Sequence, residues 1–195
     1  MKKLTKAMAV LTALIVALSF AGCKNDDDDD DFTPTEIPAG KGEDVFKGKK
    51  LYKNGNTNRS YLEFTNDGFV INYQISNGQA SQKEKLQYTC DSETKTLNLA
   101  LREVYDDKGN KYTNPDDMWN AMNAELSENN DMMWNFLYDL VKASGEFSGS
   151  ISEFKEEYRK KTYNEWNTAT KIQYSTTSSG KLSIVYNEET FAEAN

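Results

Sequence analysis

The stretch KLQYTCDSETKTLNLAL, which begins at Lys85, alternates apolar and polar residues on both sides of a polar turn. Period-two alternation around a turn rich in Ser, Thr and Asp is the pattern of a β-hairpin, and it commits this part of the chain to antiparallel pairing. The pattern returns in KIQYSTTSSGKLSIVY, from Lys171, where Ile172 and Tyr174 stand in the places of Leu86 and Tyr88. Beyond the turn, Leu182 and Ile184 match Leu97 and Leu99. The shared K-[LI]-Q-Y-[ST] start is that of a duplicated unit or a family motif.

A third hairpin precedes these two. In YLEFTNDGFVINYQI, from Tyr61, the alternation breaks at Asn66-Asp67-Gly68. The glycine supplies the positive φ that a tight turn requires. Both faces of this hairpin carry apolar residues, as in a curved sheet or a barrel with a filled interior. With an opening strand around Leu51, the chain predicts about seven strands, near 49–53, 59–66, 69–76, 82–90, 96–105, 168–176 and 181–187.

Between the two similar hairpins the period changes. Asn114-Pro115-Asp116-Asp117 is a helix start: an N-capping Asn, Pro in the first turn, and acids at the positive end of the dipole. Trp119, Met122 and Leu126 follow at helical spacing. Met133, Phe136, Leu137, Leu140 and Val141 form an i, i+3, i+4, i+7, i+8 stripe that predicts a second helix with this face in the core. Lys142 lies in its last turn and Gly145 ends it. Ser150 with Glu153 forms a capping box before Phe154 and Tyr158, and Glu156–Lys160 and Glu157–Lys161 support a third helix. The expected fold is therefore mainly β: an antiparallel meander or barrel of about seven strands, with a two- or three-helix insertion at about 114–166, before the last hairpin. Such an insertion either covers an open sheet edge or barrel end, or forms a lid or partner-binding surface. Met132 and Trp134 stand off the stripe and are the candidates for contacts beyond it.

Composition removes whole classes of function. The chain has no histidine, which excludes Ser-His-Asp and Cys-His catalysis, the HExxH zinc site and the commonest transition-metal ligand. The formal net charge is −8 and the three arginines, Arg59, Arg102 and Arg159, are scattered, so nucleic acid is not an expected partner. No phosphate-binding or nucleophile-elbow motif occurs. We expect no enzyme, no metal and no cofactor. Of the two cysteines, Cys90 falls in a predicted strand, as a half-buried residue.

Cys23 has a different setting. Lys2, Lys3 and Lys6 precede an apolar run from Ala7 to Leu18, and Ala21-Gly22 stand before Cys23. These are the parts of a secretory signal, too short and wrongly flanked for a spanning helix. The small-small-Cys ending resembles the lipobox of bacterial lipoproteins, which implies lipidation of Cys23 and a mature chain beginning there. Loss of residues 1–22 takes three lysines and no acids, so the formal charge becomes −11. Asp26 to Asp31 repel one another and stay solvated. Thr33-Pro34, Ile37-Pro38, Gly40 and Gly42 continue without periodicity. The expected organisation is a signal peptide over 1–22, a lipidated acidic tether over 23–45, and a barrel-like domain over 46–195.

The lipobox, the short polar tether, Gly48-Lys49-Lys50-Leu51 and Leu62-Glu63-Phe64-Thr65-Asn66-Asp67-Gly68 together resemble the lipocalin-like lipoproteins found in spirochaetes and some other Gram-negative bacteria. The closing KIQYSTTSSGKLSIVY is similar to the strand-turn-strand unit of such proteins. The resemblance implies a lipocalin-like barrel, lipid-anchored at the outer membrane or cell surface, that binds a small apolar ligand. Tyr73 and Tyr88 from the sheet and Trp119, Trp134 and Phe136 from the helices are the candidate contacts. The alternative is an interaction subunit that docks on a protein partner or host factor through the helical insertion.

Overall fold

Alternation and turn chemistry carry through into the architecture. The computed structural model describes Phe32 and residues 34–194; Cys23 and the aspartate run lie outside them. The strands are β1 (Lys50–Lys53), β2 (Tyr61–Phe64), β3 (Phe69–Ser76), β4 (Gln79–Asp91), β5 (Thr96–Tyr105) and β6 (Lys111–Tyr112). Helices α1 (Pro115–Ser144) and α2 (Ile151–Asn167) follow, then β7 (Thr170–Thr176), β8 (Leu182–Tyr186) and β9 (Glu189–Ala192).

Each strand pairs antiparallel with its neighbours, and β1 pairs with β9 through Tyr52↔Ala192 and Lys53↔Phe191. Together with the β4–β5 and β5–β7 pairings this closes an eight-stranded barrel. The predicted seven strands become eight in the wall because β9 supplies the closing strand. β6 pairs only with the far end of β5, at Val104 and Tyr105. Around the barrel the strands run in chain order, so β6, α1 and α2 are an excursion from an otherwise simple meander, made between two paired neighbours.

Eight strands enclose a space just wide enough for side chains to fill, and here they fill it. Leu51, Leu62, Val70, Leu86, Leu97, Ile184 and Phe191 point inward and are buried. Phe46 closes one end. Its ring lies 4.7 Å from Phe64 and 4.9 Å, edge-on, from Tyr174, while Phe64 meets Tyr88 at 5.1 Å. Tyr88 also points inward, and its hydroxyl donates to Asp44 Oδ2 at 2.8 Å. Cys90 belongs to the same interior, free and buried rather than half-buried.

The segment before Phe46 lies along the outer wall. Thr89 Oγ1 donates to the Pro38 carbonyl at 2.7 Å, and Lys41 makes a parallel bridge to Asp91, where β4 has run past β3. A side chain at Gly40 would place its Cβ 2.6 Å from the Cys90 carbonyl oxygen, so only glycine permits this approach. Arg102 spans Gln87 Oε1 and the Thr35 carbonyl, and Thr35 Oγ1 reaches the Trp166 carbonyl at 3.2 Å. Hydrogen-bonded contacts with the domain therefore begin well before residue 46.

Candidate functional site

The insertion starts as its sequence requires. Asn114 caps α1 by accepting from the Asp117 amide at 2.8 Å, Pro115 follows in the first turn, and Gly145 ends the helix in the left-handed region. Ser150 and Glu153 form the reciprocal capping box of α2. Between the predicted first and second helices, which run on as α1, Asp131 stands at φ 58°. Aspartate tolerates this conformation better than most residues, and the helical run turns sharply there. The Trp134 indole N–H consequently donates to Asn123 Oδ1 at 3.0 Å, though an unbroken helix would set the two residues about 16 Å apart. Asp131 pairs with Lys155 of α2 at 3.1 Å, and Lys155 lies over the Trp134 ring.

Trp134 is the centre of the helical layer. It is wholly buried, with Trp119, Phe154 and Tyr158 around it at ring distances of 5.7–6.2 Å. This corrects the expectation that Trp134 reaches beyond the layer. It also corrects the predicted core stripe. Leu137 and Val141 are buried beside Trp134, but Phe136 is 52% exposed, Leu140 47% and Met132 58%. These three recur once per turn on the opposite face. Tyr163 ties α2 back to the start of α1 by donating to Asp116, so the face is held on a braced pair of helices.

A second polar feature lies where α2 packs against β5 and leads into β7. Glu84 faces the barrel interior, and its Oε2 accepts from Asn72 Nδ2 and Tyr186 OH, both at 3.0 Å. Glu165 of α2 is in electrostatic reach. The residue is solvent-exposed, yet crowding of its carboxyl by protein and the Glu84 charge push its pKa up to about 7, against a smaller opposing effect of Lys161. Burial, then Glu84, raise the Tyr186 hydroxyl. Burial and Glu165 raise that of Tyr158. Tyr158 OH and Trp166 Nε1 are buried and have no hydrogen-bond partner, an uncommon state for buried donors.

The candidate contacts do not converge on one cavity. Tyr88 is inside the barrel. Tyr73 lies outside it, stacked on Tyr61 at 4.7 Å, with Tyr52 next in the row. Trp119 is half-buried against Trp134, and Phe136 alone of the five is largely in water. Residues missed by sequence reasoning are Leu140 as an exposed member of the stripe, and Glu84 and Glu165. An open groove of about 510 Å³ lies at the α1–α2 turn, lined by Phe147, by Glu146, Glu153, Glu156 and Glu157, and by Lys160. Among the described residues no three or more His, Cys, Asp or Glu gather in a way that would hold a metal ion, and no helix is long and apolar enough to cross a membrane.

The fold and surface thus define a closed antiparallel β-barrel with a helical insertion. In comparisons with family models, with curated proteins and with solved structures, nothing matches this chain.

Proposed function

We propose that this chain is a non-enzymatic binding module, lipid-anchored through Cys23 at the outer membrane or surface of a Gram-negative-type bacterium, that docks on a protein partner through its helical insertion. One observation carries the reading: Met132, Phe136 and Leu140 line one face of a braced helix in water, while the barrel interior is occupied by the protein's own side chains. Apolar side chains grouped on a rigid exposed face are what interfaces are built from. The likeness of the closed barrel to lipocalin-like lipoproteins of spirochaetes belongs to the same proposal.

A second reading keeps a small apolar ligand, held near the seam between α2 and the barrel. The unpartnered Tyr158 hydroxyl and Trp166 indole N–H favour it, since a ligand with acceptor atoms would satisfy them. Native mass spectrometry of the protein from its own host, without detergent, tests it; a bare mass counts against it.

Placing a photo-crosslinking aromatic residue at position 136, in cells, tests the docking reading. We expect an adduct with another polypeptide. The same residue at position 185 is the control, because Val185 is equally exposed on β8 of the barrel. Equal adducts at both positions, or none at 136, refute docking through the insertion. Cys23→Ala tests the anchor separately: lipid labelling is lost and the protein leaves the membrane fraction.

A further inference from the structure

We propose that the seam between α2 and the barrel binds an apolar molecule with one cationic end, a primary alkylammonium gripped by Glu84, Glu165 and the Tyr158 hydroxyl. This site deepens the small-ligand reading and rests on it, and it is separate from the exposed face of α1. Glu84 is the first reason. It faces the barrel interior, where a charge is ordinarily paired, yet among the described residues no lysine or arginine pairs with it. Asn72 Nδ2 and Tyr186 OH both donate to its Oε2, which leaves Oε1 to accept from a ligand. The lysines on the neighbouring strands are engaged elsewhere: Lys53 with Glu189, Lys83 with Asp107 and Lys85 with Glu103.

α2 brings two further acceptors to the same place. Glu165 is open to solvent while protein closely surrounds its carboxyl, as for a group on the rim of a recess, and Lys161 acts on it less than Glu84 does. Tyr158 precedes Glu165 by seven positions, so both lie on one face of the helix, and Glu165 acts electrostatically on the hydroxyls of both Tyr158 and Tyr186. Tyr158 is only 7% exposed, and its hydroxyl has no hydrogen-bond partner. A buried polar group in that state costs free energy until something meets it. An alkylammonium carries three N–H donors, one each for Glu84 Oε1, a Glu165 oxygen and the Tyr158 hydroxyl oxygen. Val104, opposite Glu84 in the β4–β5 register, and Leu101, packed against the core, offer apolar surface for the tail. A calcium ion suits the place less well, since it takes about six to eight oxygens and no three carboxylates gather among the described residues.

The test is calorimetric titration of the full chain with n-butylammonium chloride at a pH above 7, where Glu165 is ionised. Saturable one-to-one binding is expected. Tetramethylammonium, which has the same charge and no N–H, should bind about tenfold more weakly. Glu84→Gln and Tyr158→Phe should each weaken n-butylammonium binding by about tenfold. Tyr158→Phe removes only an unpartnered hydroxyl, so its circular-dichroism spectrum and melting temperature should be kept even if Glu84→Gln unfolds. Absence of saturable binding refutes the site. Equal binding of tetramethylammonium, or wild-type affinity in Tyr158→Phe, shows attraction to acidic surface at large and refutes it too. Competitive displacement of the amine by calcium chloride would give the place to a metal instead. A neutral molecule retained in native mass spectrometry, with no amine binding, leaves the small-ligand reading standing and removes only the cationic end.

Discussion

All eight barrel strands send their inward side chains into one shared interior, whereas α1 buries Trp134, Leu137 and Val141 and leaves Met132, Phe136 and Leu140 in water. Closure explains the difference. A sheet joined to itself has an inside that its own residues fill, and its paired strands leave no free edge. Two helices have no such closure: once each has turned one face to the other, apolar residues on a remaining face stay exposed. Among the described residues the large exposed apolar side chains are therefore three on α1 and one, Val185, on the barrel.

The comparison can be broken most directly by removing one side. Deleting residues 114–166 and joining β5 to β7 should leave a β-type circular-dichroism spectrum, because β4–β5 and β5–β7 pairing does not pass through the helices. An unfolded product would show that the barrel depends on the layer it supports.

Next come the two aromatic anchors. Phe46→Ala and Trp134→Ala should each destabilise by about 3–5 kcal/mol, as large-to-small changes in packed cores do. Phe46→Ala should lower the main thermal transition, read from the β signal. Trp134→Ala should show first as loss of helical signal at a lower temperature. Coincident losses in both variants would mean that barrel and insertion unfold as one unit.

Smaller still, Asn114→Ala removes the cap of α1 and should cost about 1 kcal/mol, measured by urea denaturation followed through the helical signal. Smallest is the effect of Glu165. Its pKa is raised by folding, so the folded state holds the proton more tightly, and stability falls as pH rises from the ordinary 4.5 through about 7. Because the residue is solvent-exposed, the change stays below about 1 kcal/mol. Glu165→Gln should flatten this slope, stabilising the protein at pH above 7 and changing little below 4.5. A slope that survives the substitution would assign it to another group.

The hairpins, both helix caps and the place of the insertion were legible because each has a local cause: alternation, a capping side chain, a glycine at positive φ. β9 was not. Its turn, Asn187-Glu188, takes positive φ at both residues without a glycine, and four residues are too few for periodicity to stand out. The facing of α1 was misread for a related reason. Met133-Phe136-Leu137-Leu140 and Trp134-Leu137-Tyr138-Val141 are both helical stripes, and spacing alone does not choose between them. The second prevails because Trp134 is the largest apolar side chain available to bury and the turn at Asp131 folds Asn123 back to meet it. The exposed stripe is the one that lost. Glu84 and Glu165, far apart in the chain, meet only through the tertiary fold, and nothing local announces them.

The contacts of residues 34–42 with the outer wall have a mechanical consequence. Tension applied at the N-terminus would load Phe32 first, edge-on to Trp166 at 5.7 Å, then Thr35, and through it Arg102 of β5 and the last turn of α2. It would next reach Thr89 and the bridge at Lys41, and only then Phe46 in the barrel. Contacts met one after another yield like a zipper at modest force, where a row loaded in parallel would resist together. The leading segment would then peel from the wall before the barrel is stressed, leaving the plug at Phe46 in place.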